Sequence, residues 1–253
     1  MALNWAGRRR LIIIGGTVVV FLLLALGVTL AVLYEVPTCT DQKQNQDEQG
    51  IDCGGSCSYL CTASFEAPRV SFARPIQGAN GRVDIIAYIE NRNVSAEAAN
   101  ATFTVELYGE ENILIAERKG MIDLPSRSII PVFMPGLYQG NSVATRAFLS
   151  FDDPVRFNTA VSGRVVPKIE ETKQLPGDRP RITAQLRNPS ARALYNVKVV
   201  ATIFAEDGTA IAVSQTVVRE VPALGVATAI FTWNEPFPVP VSRIEVLPVL
   251  SFQ

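Results

Sequence analysis

Residues 11–34, LIIIGGTVVVFLLLALGVTLAVLY, form an unbroken run without a single charged side chain. A helix rises about 1.5 Å per residue, so this run exceeds the ~20 residues that the core of a bilayer requires. A cleavable signal peptide has a shorter apolar region, followed by a small-x-small exit. The exit here, AVLYEVPTC, has no such pair, and Thr38 before Cys39 does not fit a lipoprotein site. The run is therefore read as an uncleaved single-span anchor that contacts membrane lipid through residues 11–34. Arg8, Arg9 and Arg10 stand directly before it. Basic residues beside a span stay cytoplasmic. Residues 1–10 are then a cytoplasmic tail, and everything after residue 34 lies outside the cell membrane. Trp5 and Tyr34 flank the span as interfacial aromatics, and Gly27 with Ala31 forms one small-xxx-small pair.

Removing the three arginines from 23 basic residues leaves 20 against 24 acidic ones, a formal charge of −4 for the exported part. A mildly acidic surface without a basic stripe does not suit nucleic-acid binding. The sequence contains no histidine, which removes the commonest general base and the commonest zinc ligand. No nucleophile elbow, phosphate-cradling loop or zincin motif is present. Lys168, Lys173 and Lys198 leave a Ser–Lys dyad formally possible, but their strand-like setting reads as solvated lysine. The paired acids Glu110-Glu111, Asp152-Asp153 and Glu170-Glu171 sit at expected turns and strand ends. The reading is non-catalytic.

All four cysteines, Cys39, Cys53, Cys57 and Cys61, fall between residues 39 and 61. Outside a cell membrane the surroundings are oxidising, so two disulfides are favoured over a thiolate metal site. Three pairings are open. The segment is too polar to bury a core, so crosslinks are what would hold it folded. It also carries Asp41, Asn45, Glu48 and Asp52, oxygen donors three or four residues apart, which make a candidate calcium set beside the plainer reading of a solvated acidic linker.

Beyond the cysteines the composition is rich in Val, Ile, Thr and Phe, broken by Gly, Pro, Asn and Asp, which indicates β-structure throughout. Residues 101–108 alternate, with Ala101, Phe103, Val105 and Leu107 on one face. Residues 196–204 do the same with Val197, Val199, Ala201 and Ile203, and the opposite face is expected to be wet. The two strands belong to a repeat of about 97 residues, the size of one sandwich domain. In it Asn91 matches Asn188 at the end of one strand, Asn100 matches Asn196 at the start of the next, Tyr108 matches Phe204, the turn GEEN matches AEDG, and Leu124-Pro125 matches Val221-Pro222. The fold class is thus an all-β ectodomain of two tandem Ig-like antiparallel sandwiches, at residues 66–162 and 163–253, each expected to fold alone. They follow the anchor helix (11–34) and a cysteine-rich neck (35–65).

Within residues 166–236, a strand ending in LRNPS and the hairpin YNVKVVATIFAEDGTAI resemble Ig-like modules of the FxLYD and CARDB kind in bacterial envelope proteins. In the first unit Asn112 takes the place of the hairpin glycine. The resemblance implies binding or spacer modules. The stretch PTCTDQKQNQDEQGIDCGGSC also resembles a motif of bacterial surface proteins, P-T-C-x-D-G-x-x-N-G-x-E-x-x-x-D-C-G-G-x-C. Cys39, Asp41, Asn45, Glu48, Asp52, Cys53, Gly54, Gly55 and Cys57 match it, whereas Gln42 and Gln46 stand where it has glycine. The function expected is a membrane-anchored scaffold, spacer or docking module for a protein partner at the cell surface or envelope, with exposed strand edges as the docking surface. The alternative is an accessory subunit of a membrane assembly, bound through its span. The sequons at Asn93 and Asn100 matter only in a host that glycosylates exported chains.

Overall fold

A computed structural model describes residues 5–33, 38–45, 47–161, 164–175 and 179–252. The chain divides into two compact units, Met1–Ser56 and Cys57–Gln253. The first opens with helix α1 (Trp5–Leu33), which starts ahead of the three arginines. It is long and apolar enough to cross a membrane, and its side chains are exposed around the whole circumference. Even its hydroxyls are satisfied internally. Thr17 and Thr29 each donate 2.6 Å bonds back to the carbonyls of Ile13 and Ala25, so both threonine hydroxyls within the apolar run are satisfied. Tyr34 and Pro37 lie outside the described residues.

The second unit is mostly β, with three single-turn 3-10 segments at Thr62–Ser64, Ala79–Gly81 and Glu110–Asn112. In chain order it contains β1 (Arg69–Gln77), β2 (Arg82–Asn91), β3 (Ala96–Tyr108), β4 (Leu114–Leu124), β5 (Ser128–Gln139), β6 (Arg146–Phe151) and the two-residue β7 (Asn158–Thr159). The second set is β8 (Lys168–Leu175), β9 (Arg181–Arg187), β10 (Leu194–Phe204), β11 (Ala210–Val221), β12 (Val226–Thr232) and β13 (Arg243–Val249). All pairings are antiparallel. Sheets β1-β2-β5 and β4-β3-β6, with β7 beside the start of β3, enclose one core. Sheets β8-β9-β12 and β11-β10-β13 repeat the same order around a second. The expected boundary at residues 162–163 lies outside the described residues. The expected neck, 35–65, divides at Ser56. Residues 57–65 are built onto the first sandwich, where Leu60 N–H donates to the Phe157 carbonyl (2.7 Å) and Phe65 stacks on Phe157 at 4.6 Å.

The alternation read from the sequence places the cores. Ala101, Phe103, Val105 and Leu107 are buried in the first sandwich, and Val199, Ala201 and Ile203 in the second. The matched asparagines explain why both units close the same way. Asn91 is buried at the end of β2 and donates its amide to the carbonyls of Leu124 (3.1 Å) and Pro125 (2.8 Å). Asn188 directly follows β9 and donates to the carbonyls of Val221 (3.2 Å) and Pro222 (3.1 Å). Each amide thus ties a strand of one sheet to the exit of a strand in the other. The carbonyl oxygens Oδ1 accept from Asn93 N–H and Ser190 N–H, the matching positions of the following loops. The hairpins match as well: Gly109 N–H bonds the Ile113 carbonyl and Ala205 N–H the Thr209 carbonyl, both at 2.9 Å. Asn112 sits at φ 60° where Gly208 sits at φ 79°, so asparagine fills the left-handed position that glycine fills in the second unit.

Two expectations change. Asn100 does not begin a strand. It lies within β3 at an irregularity of register, with φ 51°, because pairing with β7 and β4 extends the strand upstream to Ala96. The wet outer face expected on residues 196–204 is wet only at Asn196 and Lys198. Val200, Thr202 and Phe204 are buried, and they join Ile76, Ile86 and Tyr88 of the first sandwich and Ala210 and Val213 of the second in a third apolar cluster. At its centre the Tyr88 hydroxyl donates to Thr202 Oγ1 (2.9 Å). Burial pushes the Tyr88 phenol far above its ordinary value, and the Thr202 hydroxyl acts against that shift. The sandwiches therefore share a joint in addition to their own cores.

The repeat-matched amides make a paired prediction. Asn91→Ala and Asn188→Ala each strand buried carbonyls and should each cost about 3 kcal/mol. Urea denaturation of the two variants should give losses equal to within about 1 kcal/mol, given the usual scatter of such measurements. A loss confined to one of them would show that the networks are not equivalent.

Candidate functional site

The loop of the first unit, described at 38–45 and 47–56, is the part of the chain densest in chemistry-bearing side chains. Every cysteine is disulfide-bonded, giving two bridges within residues 39–61. With the sulfurs oxidised, no thiolate is left for a metal in this form.

The four candidate calcium donors are organised by backbone hydrogen bonds. Asp41 accepts from Thr38 N–H (3.1 Å), Lys43 N–H (2.9 Å) and Asn45 Nδ2 (2.8 Å). Both oxygens of Asp52 accept from Gln42 N–H at 3.1 Å, across ten residues of sequence. Glu48 is buried, and its Oε2 accepts from Asn45 N–H at 3.2 Å. The neighbouring Asp47 accepts from the Ser56 hydroxyl at 2.7 Å. These carboxylates stand in for missing secondary structure: they satisfy loop N–H groups that no strand pairs. A calcium ion would compete with those donors for the oxygens of Asp41, Glu48 and Asp52, whereas the fourth donor, Asn45 Oδ1, is buried without a hydrogen-bond partner among the described residues. The Thr38 N–H and the Asn45 amide hold the Asp41 carboxyl below its ordinary value, and the Ser56 hydroxyl does the same for Asp47.

Backbone geometry explains the glycine pattern. Gly54 and Gly55 have φ 73° and 59°, and a Cβ on Gly55 would lie 2.1 Å from the Asp47 carbonyl oxygen. Only glycine fits there. Gln42, at a position where the resembling motif has glycine, holds φ 60°. The loop keeps the turn and carries the cost of a Cβ in the left-handed region. Gln46 lies outside the described residues.

The remaining polar residues singled out by sequence fall into ordinary surface roles. Lys173 pairs with Glu171 (2.7 Å), Arg187 with Glu170, and Lys119 with Asp152 (3.3 Å), while Lys168 and Lys198 are exposed. The two sequons differ. Asn93 is engaged on both sides of its amide, donating to the Glu66 carbonyl and accepting from Glu66 N–H, each at 2.8 Å, whereas Asn100 is exposed. The residues that sequence reading missed are those of the inter-sandwich joint. Their signal is the loss of alternation: residues 85–89, IIAYI, and 199–204, VVATIF, run without a charge, as strands buried on both faces do.

Comparison of the chain with protein-family models and with curated proteins gave no match.

The loop geometry predicts opposite outcomes at two turns. Gln42→Gly should leave the loop as stable or up to about 1 kcal/mol more stable, while Gly55→Ala should expose it to protease in non-reducing buffer. The lowered carboxyls of Asp41 and Asp47 stabilise the loop fully above the ordinary carboxylate range near pH 4, and that stability is lost as the pH falls through their folded values. Amide exchange at Thr38 and Lys43 should accelerate on acidification below that range, beyond what intrinsic exchange accounts for.

Proposed function

We propose that the chain is a single-pass, membrane-anchored extracytoplasmic spacer and docking arm that performs no catalysis. The observation that carries this reading is an all-apolar run long enough to cross a membrane, followed in the sequence by two sandwiches of matched sheet order. A helix hydrophobic on every side has no face to give to a solvated protein surface, and a bilayer satisfies it. Two sandwiches joined through a buried cluster hold a fixed geometry, which suits a module that positions a partner. The disulfide-bonded loop supplies a crosslinked segment between anchor and sandwiches in the sequence, in keeping with the resemblance of its DCGGSC stretch to surface-protein necks. The resemblance of the second sandwich to FxLYD and CARDB modules of the bacterial cell envelope points the same way. Arg8, Arg9 and Arg10 set the topology by keeping the N-terminus cytoplasmic. The second reading, an accessory subunit held in a membrane assembly through the helix alone, rests on the same apolar surface.

Orientation is directly measurable. With the native cysteines oxidised, a single reporter cysteine at Ser251, which is exposed, should react with an impermeant maleimide in intact cells. A reporter at Ala2 should react only after lysis. Labelling of Ala2 in intact cells would overturn the topology. Deleting residues 11–34 separates the two readings, since a docking arm retains its partner without the helix and a span-held subunit loses it.

A further inference from the structure

The repeat assigns each face of one sandwich a counterpart in the other. At the joint, the outward face of β1-β2-β5 inserts against the outward face of β11-β10-β13. The counterpart of the receiving face is the outward face of β4-β3-β6. The counterpart of the inserting face is the outward face of β8-β9-β12. Both carry exposed side chains: Phe148 is 53% exposed on the first and Ile230 43% on the second. We propose that these two faces meet between successive copies of the chain, so that the protein associates head to tail by repeating its own internal joint.

Three observations support a second copy as the occupant. The first is charge. Arg74, on β1, lies close enough to Asp207, in the β10–β11 turn, to add to the Thr209 hydrogen bonds that hold that carboxyl below its ordinary value. By the register of each sheet, the counterpart of Arg74 is Lys173 and that of Asp207 is Glu111. Both residues differ in kind, yet the opposite signs are kept, and both are exposed. The Glu171 partner of Lys173 is itself an exposed, weak one. The second is an unmet like-charge pair. Glu106 and Glu117 stand directly opposite each other across β3 and β4, an arrangement that destabilises a sheet. Among the described residues no salt bridge reaches either. Their counterparts, Thr202 and Val213, are covered by the first sandwich. The inserting face brings Arg181, exposed and at the counterpart of Asp84. The third is apolar. Phe148 stands edge-on to Tyr108 at 5.7 Å on the receiving face, and Ile230 is the counterpart of Phe133, which packs at the internal joint.

Joining two different faces gives a heterologous contact, which extends into a chain of copies unless its rotation closes a ring. The contact is more polar than the internal joint, so it is weaker and salt-sensitive. The inference goes beyond the anchoring reading and rests on the repeat alone, so it can fail while the topology stands.

Sedimentation of the full-length, disulfide-intact protein in detergent micelles tests it. The mass per particle should rise with protein concentration. Glu111→Lys and Lys173→Glu should each weaken association roughly three-fold or more, as expected on reversing one exposed pair. The two substitutions together should restore it. Phe148→Ser should weaken it without touching any charge. Each variant leaves α1 intact, so association driven by the helix alone would be unchanged by all of them. That result, a particle mass independent of concentration, or a double variant no better than the singles, would overturn the proposal.

Discussion

The cluster between the two sandwiches determines what this molecule can be. Ile76, Ile86 and Tyr88 on one side and Val200, Phe204, Ala210 and Val213 on the other are all buried. At about 1.5 kcal/mol or more for each large side chain, uncovering them would cost on the order of 10 kcal/mol as an upper bound. That is comparable to the net stability of a whole domain. The Tyr88–Thr202 hydrogen bond adds a geometric requirement, because separating the sandwiches leaves two hydroxyls to find water on an otherwise apolar face. Arg243 lies over the Phe204 ring at 3.9 Å and pairs with Glu245 at 3.1 Å. The C-terminal end is also fastened to the first sandwich: Asp123 on β4 accepts from Phe252 N–H at 2.6 Å, and Arg164 lies over the Phe252 ring at 3.8 Å.

The division of labour along the chain follows from solvent. Beyond its three arginines α1 is apolar all round, and its threonine hydroxyls bond back to the helix. The loop after it has almost no apolar content, and it folds by disulfides and by carboxylates that accept backbone N–H groups. The sandwiches fold by burial. Each part therefore uses what its composition permits: an apolar helix long enough to cross a membrane, crosslinking, or a hydrophobic core.

Much of this was readable from residues alone, wherever a physical need allows few residue types. Asn91 and Asn188 were visible as matched positions because only a short amide can serve several carbonyls at a strand end. Leu124-Pro125 and Val221-Pro222 were visible beside them, and the structure joins the two pairs. Asn112 was legible as a glycine substitute because a left-handed turn position tolerates little else. The outer face of β10 was misread because alternation at Val199, Ala201 and Ile203 looks the same whether the intervening Val200 and Thr202 meet water or another sheet. The start of β3 was misplaced because the pairing that extends it to Ala96 comes from β7, sixty residues on, which no local pattern announces. The loop's carboxylates were recognised as oxygen donors, but their partners are backbone groups whose placement depends on Gln42 and Asp52 adopting positive φ.

The joint is tested most directly by asking whether damage to the first sandwich is felt in the second. Trp233 packs edge-on to Phe237 at 5.2 Å and donates to the Val213 carbonyl at 3.2 Å, so its fluorescence reports the second sandwich. In a Trp5→Phe background, Val105→Asp places an unpaired charge in the first core, where Val105 is fully buried. If the cluster couples the sandwiches, the Trp233 transition in urea shifts to clearly lower denaturant in the Val105→Asp variant. If that transition stays where it is while the first sandwich unfolds, the sandwiches are independent and the joint is an incidental contact.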